Sequence, residues 1–108
     1  MEQLTIIEKE GANYHLYELE GALNAYTVGE FQDKLYDAVQ KFTVVLDLSK
    51  LIELDGSGIG LLMAAFNDSE DAGKKLYFMS MSNEADKAIS ATGFKYLFNL
   101  INAVTEVA

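Results

Sequence analysis

Hydrophobic residues recur along the chain in two kinds of pattern, which predict β-strands alternating with helices. Two strands are predicted first, at Leu4–Lys9 and Tyr14–Glu20, where apolar and polar residues roughly alternate. The segment between them, Gly11-Ala12-Asn13, has the length and composition of a hairpin loop. Three short apolar runs predict further strands, at Val44–Leu48, Leu76–Ser80 and around Phe98–Ile101.

The segment after Thr27 has the periodicity of an amphipathic helix. Its apolar residues recur at three- and four-residue spacing, at Val28, Phe31, Leu35, Val39 and Phe42. Thr27 is the predicted N-cap, and Glu30 stands three residues later, as in a capping box. The apolar stripe is therefore expected to face the core.

Two more helices are predicted at Ser57–Ala72 and from about Asn83 to Thr92. Gly73 and Gly93 follow them, at the position where a helix commonly ends with a positive φ. In the later helix the residues expected to face inward are Ala85, Ala88 and Ile89. A last turn is predicted from Ala103.

This order of elements predicts an α/β fold: a mixed sheet with an N-terminal hairpin followed by βα units, and helices packed on the sheet. A chain of 108 residues is long enough for one core, so residues 1–108 are predicted to form one domain. Functional groups in open sheets of this kind collect at the carboxyl ends of the strands. Ser57 follows one such end.

The segment Leu54–Leu61 joins a buried strand to a helix through a turn that leaves the Ser57 hydroxyl exposed. The first N–H groups of a helix lack partners and the helix dipole is positive there, so a phosphate on Ser57 would be stabilised. Gly56, Gly58 and Gly60 carry no Cβ, which would let a kinase active site approach the serine. A tight turn that requires positive φ is the other explanation of these glycines, and both explanations can hold.

Three carboxylates close to the serine, those of Asp47, Glu53 and Asp55, are candidates for acid–base catalysis. The interpretation we favour is that Glu53 is solvated and that Asp47 or Asp55 accepts hydrogen bonds from loop amides. No histidine lies near these acids in the sequence, and EF-hand spacing is absent, so no metal site is predicted.

Other catalytic patterns fit poorly. The single histidine, His15, belongs to the predicted hairpin, and a nucleophile elbow would need glycine where Asp55 stands. The glycines around Ser57 also fail to match a dinucleotide fingerprint, since the third required small residue falls on Leu61. We therefore predict no catalytic residue and no cofactor.

The formal net charge of −9 argues against nucleic acid and against anionic membrane surfaces, which both need Lys and Arg for neutralisation. Any charged partner is expected to be basic. The chain has no cysteine, no signal-peptide pattern, and no apolar run near the length of about 20 residues that a membrane span needs. A soluble cytoplasmic protein is expected.

The predicted helix after Ser57 contains no polar side chain between Ile59 and Phe66. A single buried face uses only some of these positions, so most are expected to lie between the sheet and a neighbouring helix. A few apolar side chains near Ser57, with the adaptable Met63 among them, are predicted to form a docking patch.

Several short motifs occur in a characteristic order: Gly21-Ala22-Leu23-Asn24, Val45-Leu46-Asp47-Leu48-Ser49, Asp55-Gly56-Ser57-Gly58-Ile59-Gly60, Ala72-Gly73-Lys74-Lys75-Leu76, and Thr92-Gly93-Phe94 followed by Leu97-Phe98. Over nearly its whole length the chain resembles the STAS domain, the sulfate-transporter and anti-sigma-factor-antagonist family. In stand-alone bacterial members such a domain binds an anti-sigma factor that is also a serine kinase. Phosphorylation of the switch serine abolishes that binding, and a phosphatase restores it.

The resemblance implies that Ser57 is the phosphorylated residue and that Asp55 begins the switch motif. Two positions depart from the family pattern. Gly56 stands where serine is frequent, and Asn24 stands where the Gly-x-Leu segment commonly ends in aspartate. Asn24 keeps the hydrogen-bonding capacity but removes a charge near the switch.

The chain is thus predicted to be a phosphorylation-switched binding module, an anti-sigma factor antagonist without catalysis of its own. The predicted switch and partner-binding residues are Asn24, Asp55, Gly56, Ser57, Gly58, Ile59 and Met63. One alternative is a structural or scaffold subunit of a larger signalling or transport complex, in which Ser57 is never modified. An enzyme is the third possibility, and it would need His15 or paired carboxylates in a pocket near Ser57.

Overall fold

A computed structural model describes residues 3–107, which form strands and helices in the alternating order predicted. The elements are β1 (Leu4–Glu10), β2 (His15–Leu23), α1 (Val28–Lys41), β3 (Val44–Leu54), α2 (Gly56–Asp71), β4 (Leu76–Met79), α3 (Asn83–Ala91) and β5 (Asn99–Ile101). Short 3-10 turns at Lys95–Leu97 and Val104–Glu106 flank β5. The predicted α/β class is confirmed.

The five strands form one sheet in the order β1-β2-β3-β4-β5. The β1–β2 hairpin is antiparallel, and the other three pairings are parallel. Each parallel neighbour is reached through one helix, which is the geometry of consecutive βαβ crossovers. The mixed sheet with an N-terminal hairpin is therefore confirmed.

The three helices pack on one face of the sheet and bury the main core against it. Phe31 of α1, Leu62 of α2 and Ile89 of α3 are at most 1% exposed. Neighbouring strand residues point to opposite faces, so Val45 and its equivalents on the other strands form a second, smaller cluster. That cluster contains Leu16, Val45, Tyr77 and Ile101, with Val104 and Val107 packed against it.

Strand β3 is longer than predicted, because it continues past Leu48 to Leu54. Pairing with β4 ends at Asp47, whereas pairing with β2 continues to the Leu23–Leu54 pair. Strand β2 likewise extends beyond Glu20, with register shifts that mark bulges. The extra residues of β3 alternate irregularly between exposed and buried, so they do not form the continuous apolar run that predicts a buried strand.

The predicted capping box at the start of α1 is wrong. Thr27 occupies the N-cap position but makes no side-chain capping bond. Its Oγ1 instead donates to the Ala22 carbonyl oxygen at 2.8 Å and accepts from the Asn24 N–H at 3.0 Å. The apolar stripe is confirmed for Phe31, Leu35 and Val39, which are fully buried.

Several boundaries shift by one or two residues. Phe42 lies just beyond α1, 38% exposed, and is not part of the buried stripe. Ser80 has a φ of +53° and therefore ends β4 at Met79. Gly73 and Gly93 have φ values of +71° and +78°, which confirms both as helix stops.

Candidate functional site

Ser57 is the second residue of α2, and its side chain is exposed. Asp55 is the N-cap of this helix, and its Oδ1 accepts a hydrogen bond from the Gly58 N–H at 3.0 Å. An N-cap bond of this kind satisfies one of the N–H groups that a helix start leaves without a partner. The predicted location of Ser57 at a helix N-terminus is confirmed.

Asp55 also connects two parts of the site. Its second carboxylate oxygen, Oδ2, accepts from the Ala25 N–H at 3.1 Å, so one side chain bonds both the start of α2 and the β2–α1 loop. Asp47 accepts from the Ser49 N–H at 2.9 Å. The interpretation that Asp47 or Asp55 accepts hydrogen bonds from backbone amides is confirmed, and the structure shows that both do.

Asn24 organises the β2–α1 loop from a buried position, since it is only 8% exposed. Its Oδ1 accepts from the N–H groups of Tyr26 and Thr27, at 2.9 and 3.1 Å. Its Nδ2 donates to Glu53 Oε1 at 2.7 Å. The amide is therefore used at both ends, as acceptor toward its own loop and as donor toward β3.

The hydrogen bond between Asn24 and Glu53 is not predicted from the sequence, from which Glu53 is interpreted as a solvated acid. Glu53 is exposed, as predicted, but one of its oxygens is bound by a buried amide. An aspartate at position 24 would present a second carboxylate to Glu53 in place of the donor. No local pattern reveals this pairing, because 29 residues separate its members.

The three glycines of the switch segment have different roles. Gly58 is buried, and a Cβ added to it would lie 2.6 Å from the Leu23 carbonyl oxygen. Nothing lies within 4 Å of a Cβ added at Gly56 or Gly60. None of these three has a positive φ, so the explanation by a left-handed tight turn is wrong. Gly58 is needed for packing, and the space beside Gly56 and Gly60 is open.

Ile59 and Met63 are half-buried, and both pack against the main core. Their remaining exposed surface is the part of the predicted docking patch that a partner can reach. Tyr26 was not predicted for the site, yet 78% of its surface is exposed on the loop that Asn24 and Asp55 hold. The sequence feature that could have identified Tyr26 is an aromatic residue in the short loop before α1, outside the apolar stripe of that helix.

The family model for the STAS domain matches residues 4–107. The chain belongs to the STAS domain family. Among curated proteins it is similar to the anti-sigma-B factor antagonist of Staphylococcus aureus, with 30% identity over 89 residues, 81% of this chain and 82% of that protein.

Solved structures with the same fold include an anti-sigma factor antagonist from Mycobacterium paratuberculosis, with a TM-score of 0.82 and 16% identity over 95% of this chain and 89% of that one. The Bacillus cell fate determinant SpoIIAA in its phosphorylated form gives a TM-score of 0.73 and 19% identity, with 94% of each chain covered. At these identities the likeness establishes the STAS fold of this chain.

In this STAS domain His15 lies at the opposite end of the sheet from Ser57. His15 pairs with Val44 at the amino end of β3, whereas Ser57 follows the carboxyl end of that strand. Eleven residues of strand span about 30 Å. At this separation His15 cannot serve as a base for Ser57. Its ring stacks instead on Phe42, with 3.8 Å between ring centroids.

Among residues 3–107, no helix of this STAS domain combines the length and the apolar character required to cross a membrane. The helix with the most apolar first half, α2, has 16 residues and ends in an acidic, polar segment. Its apolar side chains are instead used in the packing against the sheet and α1.

Proposed function

We propose that this STAS domain is an anti-sigma factor antagonist that binds an anti-sigma factor through the surface around Ser57 and releases it when Ser57 is phosphorylated. The observation that carries the proposal is the exposed Ser57 hydroxyl at the second position of α2. The name of the Staphylococcus aureus relative, an anti-sigma-B factor antagonist, supports the same function.

The surroundings of Ser57 suit a residue that a kinase must reach. The space beside Gly56 and Gly60 is open, so the backbone on both sides of the serine can enter an active-site cleft. The phosphate would then sit at the start of α2, where backbone N–H groups and the helix dipole favour an anion. Modification at this position is therefore compatible with the fold.

The same phosphate would oppose binding through its charge. It adds about −1.5 to −2 units near Glu53 and Asp55. The eight basic residues of the chain are all lysines, so no arginine fork is present to pair with it. The Nζ of Lys50, a residue of β3, lies 3.1 Å from Glu20 Oε1, so Lys50 is already in an ion pair. A partner surface built to meet a neutral hydroxyl would be repelled and would have to desolvate the anion.

A cycle of binding, phosphorylation and dephosphorylation at Ser57 requires two partners. They are an anti-sigma factor with serine kinase activity and a phosphatase that removes the phosphate. Both would act in the cytoplasm, where the sigma factor is found. The antagonist itself needs no catalytic group. Both oxygens of Asp55 accept backbone hydrogen bonds, which is the arrangement of a structural rather than an acid–base carboxylate.

The proposal is tested by co-expressing the chain with each serine-kinase anti-sigma factor encoded in its source genome. Mass spectrometry should find phosphate on Ser57, and the factor that phosphorylates it should bind the unmodified chain in the presence of nucleotide. Ser57→Ala should bind without being phosphorylated, and Ser57→Asp should bind at least about tenfold more weakly, a change of about 1.4 kcal/mol. Ser49→Ala, which removes another exposed hydroxyl, is the control and should behave as wild type.

Phosphate on another residue, or equal affinities for Ser57→Asp and wild type, would reject the switch. A permanent complex whose affinity does not change with salt would then favour the scaffold function. Thermal melts of every variant separate a loss of binding from a loss of folding.

A further inference from the structure

Two carboxylates flank the Ser57 surface, and they differ in their availability to a partner. Both oxygens of Asp55 accept backbone N–H groups, from Gly58 and from Ala25. Glu53 is exposed, and its hydrogen bond from Asn24 engages one oxygen, Oε1, at 2.7 Å. Of the two acids, Glu53 is the one that can meet a partner without breaking the site.

The hydrogen bond from Asn24 also restricts the orientation of the Glu53 carboxylate. The donor, Asn24 Nδ2, belongs to a side chain that is 92% buried and that is fixed by further bonds through its Oδ1. Restricting the carboxylate in the free protein lowers the entropy lost when a partner binds it. Asn24 therefore acts as a positioning residue for Glu53.

Tyr26 lies on the loop that the same amide holds. The Tyr26 N–H donates to Asn24 Oδ1 at 2.9 Å, and the preceding residue, Ala25, donates to Asp55 at 3.1 Å. The backbone is thus fixed on both sides while 78% of Tyr26 remains exposed. Exposed tyrosines on rigid backbone supply large contact area at low entropic cost, and tyrosine is enriched at the energetic centres of interfaces.

We propose that Glu53 and Tyr26 determine partner specificity at the Ser57 surface, and that the group they receive is a cationic side chain, lysine or arginine, of the anti-sigma factor. A carboxylate forms a charge-assisted hydrogen bond with such a group, and the face of an aromatic ring attracts it. The net charge of −9 steers a basic surface toward the chain. This inference rests on the proposed function, since the partner is the one defined there.

The test uses the anti-sigma factor found to phosphorylate Ser57 and measures its Kd for two variants with matched controls. Glu53→Gln keeps the acceptor for Asn24 and removes the charge, whereas Tyr26→Ala removes the ring. Each should weaken binding at least about tenfold, and the loss for Glu53→Gln should shrink at ~0.5 M salt because screening shortens the reach of the charge.

The controls make the same chemical changes elsewhere. Glu70→Gln removes an exposed charge from the far end of α2, about 20 Å from Ser57. Tyr96→Ala removes a ring that is 80% exposed, close to the 78% of Tyr26, but that precedes β5 at the opposite end of the sheet. Both controls should bind within about twofold of wild type.

A double variant, Asn24→Asp with Glu53→Gln, moves the negative charge from residue 53 to residue 24. It therefore tests whether the partner requires the carboxylate at position 53 or only the same net charge. The glutamine amide can donate to the new aspartate, so the hydrogen bond is retained in reverse and the net charge is unchanged. This variant should melt like wild type but bind like Glu53→Gln. Asn24→Asp alone should melt at a lower temperature, because two carboxylates would face each other.

The possible failures are distinguishable. If the anti-sigma factor binds wild type but tolerates Glu53→Gln or Tyr26→Ala within twofold, the specificity inference is overturned and the proposed function stands. Wild-type affinity in the double variant would also overturn the specificity inference, since binding would then depend on the net charge of the surface and not on the position of the carboxylate. If none of the tested factors binds or phosphorylates wild type, the proposed function and this inference fall together.

Discussion

Gly58 packs so closely against Leu23 that a Cβ on residue 58 would lie 2.6 Å from the Leu23 carbonyl oxygen. The contact joins the end of β2 to the first turn of α2, one residue after Ser57. Because the obstructing atom belongs to the backbone, the clash cannot be relieved by turning a side chain. The geometry of the switch segment thus depends on the absence of a side chain at this position.

Gly58→Ala should therefore lower the free energy of unfolding by about 1–3 kcal/mol, the usual range for overpacking. Gly60→Ala is the matched control, since the same methyl group enters open space in the same helix. It should raise stability by about 0.5–1 kcal/mol, because alanine has the higher helix propensity. Urea denaturation measures both. Equal effects of the two substitutions would show that the close approach to Leu23 is wrong.

Local patterns predicted the place of Ser57 at a helix N-terminus and the bond from Asp55 to a nearby backbone amide, because each depends on neighbouring residues in the chain. The role of Gly58 and the bond from Asn24 to Glu53 were not predictable in that way. Each joins β2 or the loop after it to a segment about 30 residues later, through the parallel β2–β3 pairing. Sequence spacing carries no signal for such contacts until the strand register is known.

Leu62 and Phe66 of α2 should differ in their contribution to stability. Leu62 is 1% exposed, so Leu62→Ala should leave a cavity and cost about 2–5 kcal/mol. Phe66 is half-buried, with its ring edge-on to Phe98 at 5.3 Å, and Phe66→Ala should cost about 1–3 kcal/mol. Losses below about 0.5 kcal/mol at both positions in urea denaturation would contradict the assigned inward face.

Gly73 and Gly93 test backbone conformation separately from packing. Both have positive φ, and nothing lies within 4 Å of a Cβ added at either position. Alanine should therefore cost about 1 kcal/mol through backbone strain alone. Asparagine tolerates the left-handed region better and should cost less than alanine. If alanine and asparagine were equally tolerated in thermal melts, strain would not be the cause.

The fold was predictable to the extent that apolar periodicity reports it. The alternation of strands and helices and both glycine stops were confirmed, since they depend on local pattern and chain geometry. Thr27 is the N-cap of α1 as predicted, but the predicted capping box is wrong, because the Thr27 hydroxyl bonds Ala22 and Asn24 instead. The Thr27 hydroxyl could cap α1 or bond the preceding loop, and the contacts of the folded chain favour the loop.

Tyr17 should make stability depend on pH in the alkaline range. Burial, with a smaller contribution from the Glu8 carboxylate, raises the pKa of Tyr17 from 10.0 to about 12. The folded state thus retains a proton that the unfolded chain loses, so the stabilisation is complete below pH 10 and is lost as pH rises toward 12. The loss is of the order of 2–3 kcal/mol. Tyr17→Phe should show a shallower decline in urea denaturation between about pH 9 and pH 11.5, and parallel curves would contradict the assignment.

Phosphorylation of Ser57 should change the melting temperature little, because two local effects oppose each other. The start of α2 stabilises an anion by about 0.3–1 kcal/mol, whereas Glu53 and Asp55 repel it by a similar amount at surface exposure. For a domain of this size 1 kcal/mol corresponds to about 4–8 °C, so the modified chain should melt within about 4 °C of the unmodified one. Glu53→Gln removes part of the repulsion, and in that background phosphorylation should raise the melting temperature. A large fall in both backgrounds would mean that phosphate disrupts the Asp55 cap and acts by unfolding the switch segment rather than by its charge.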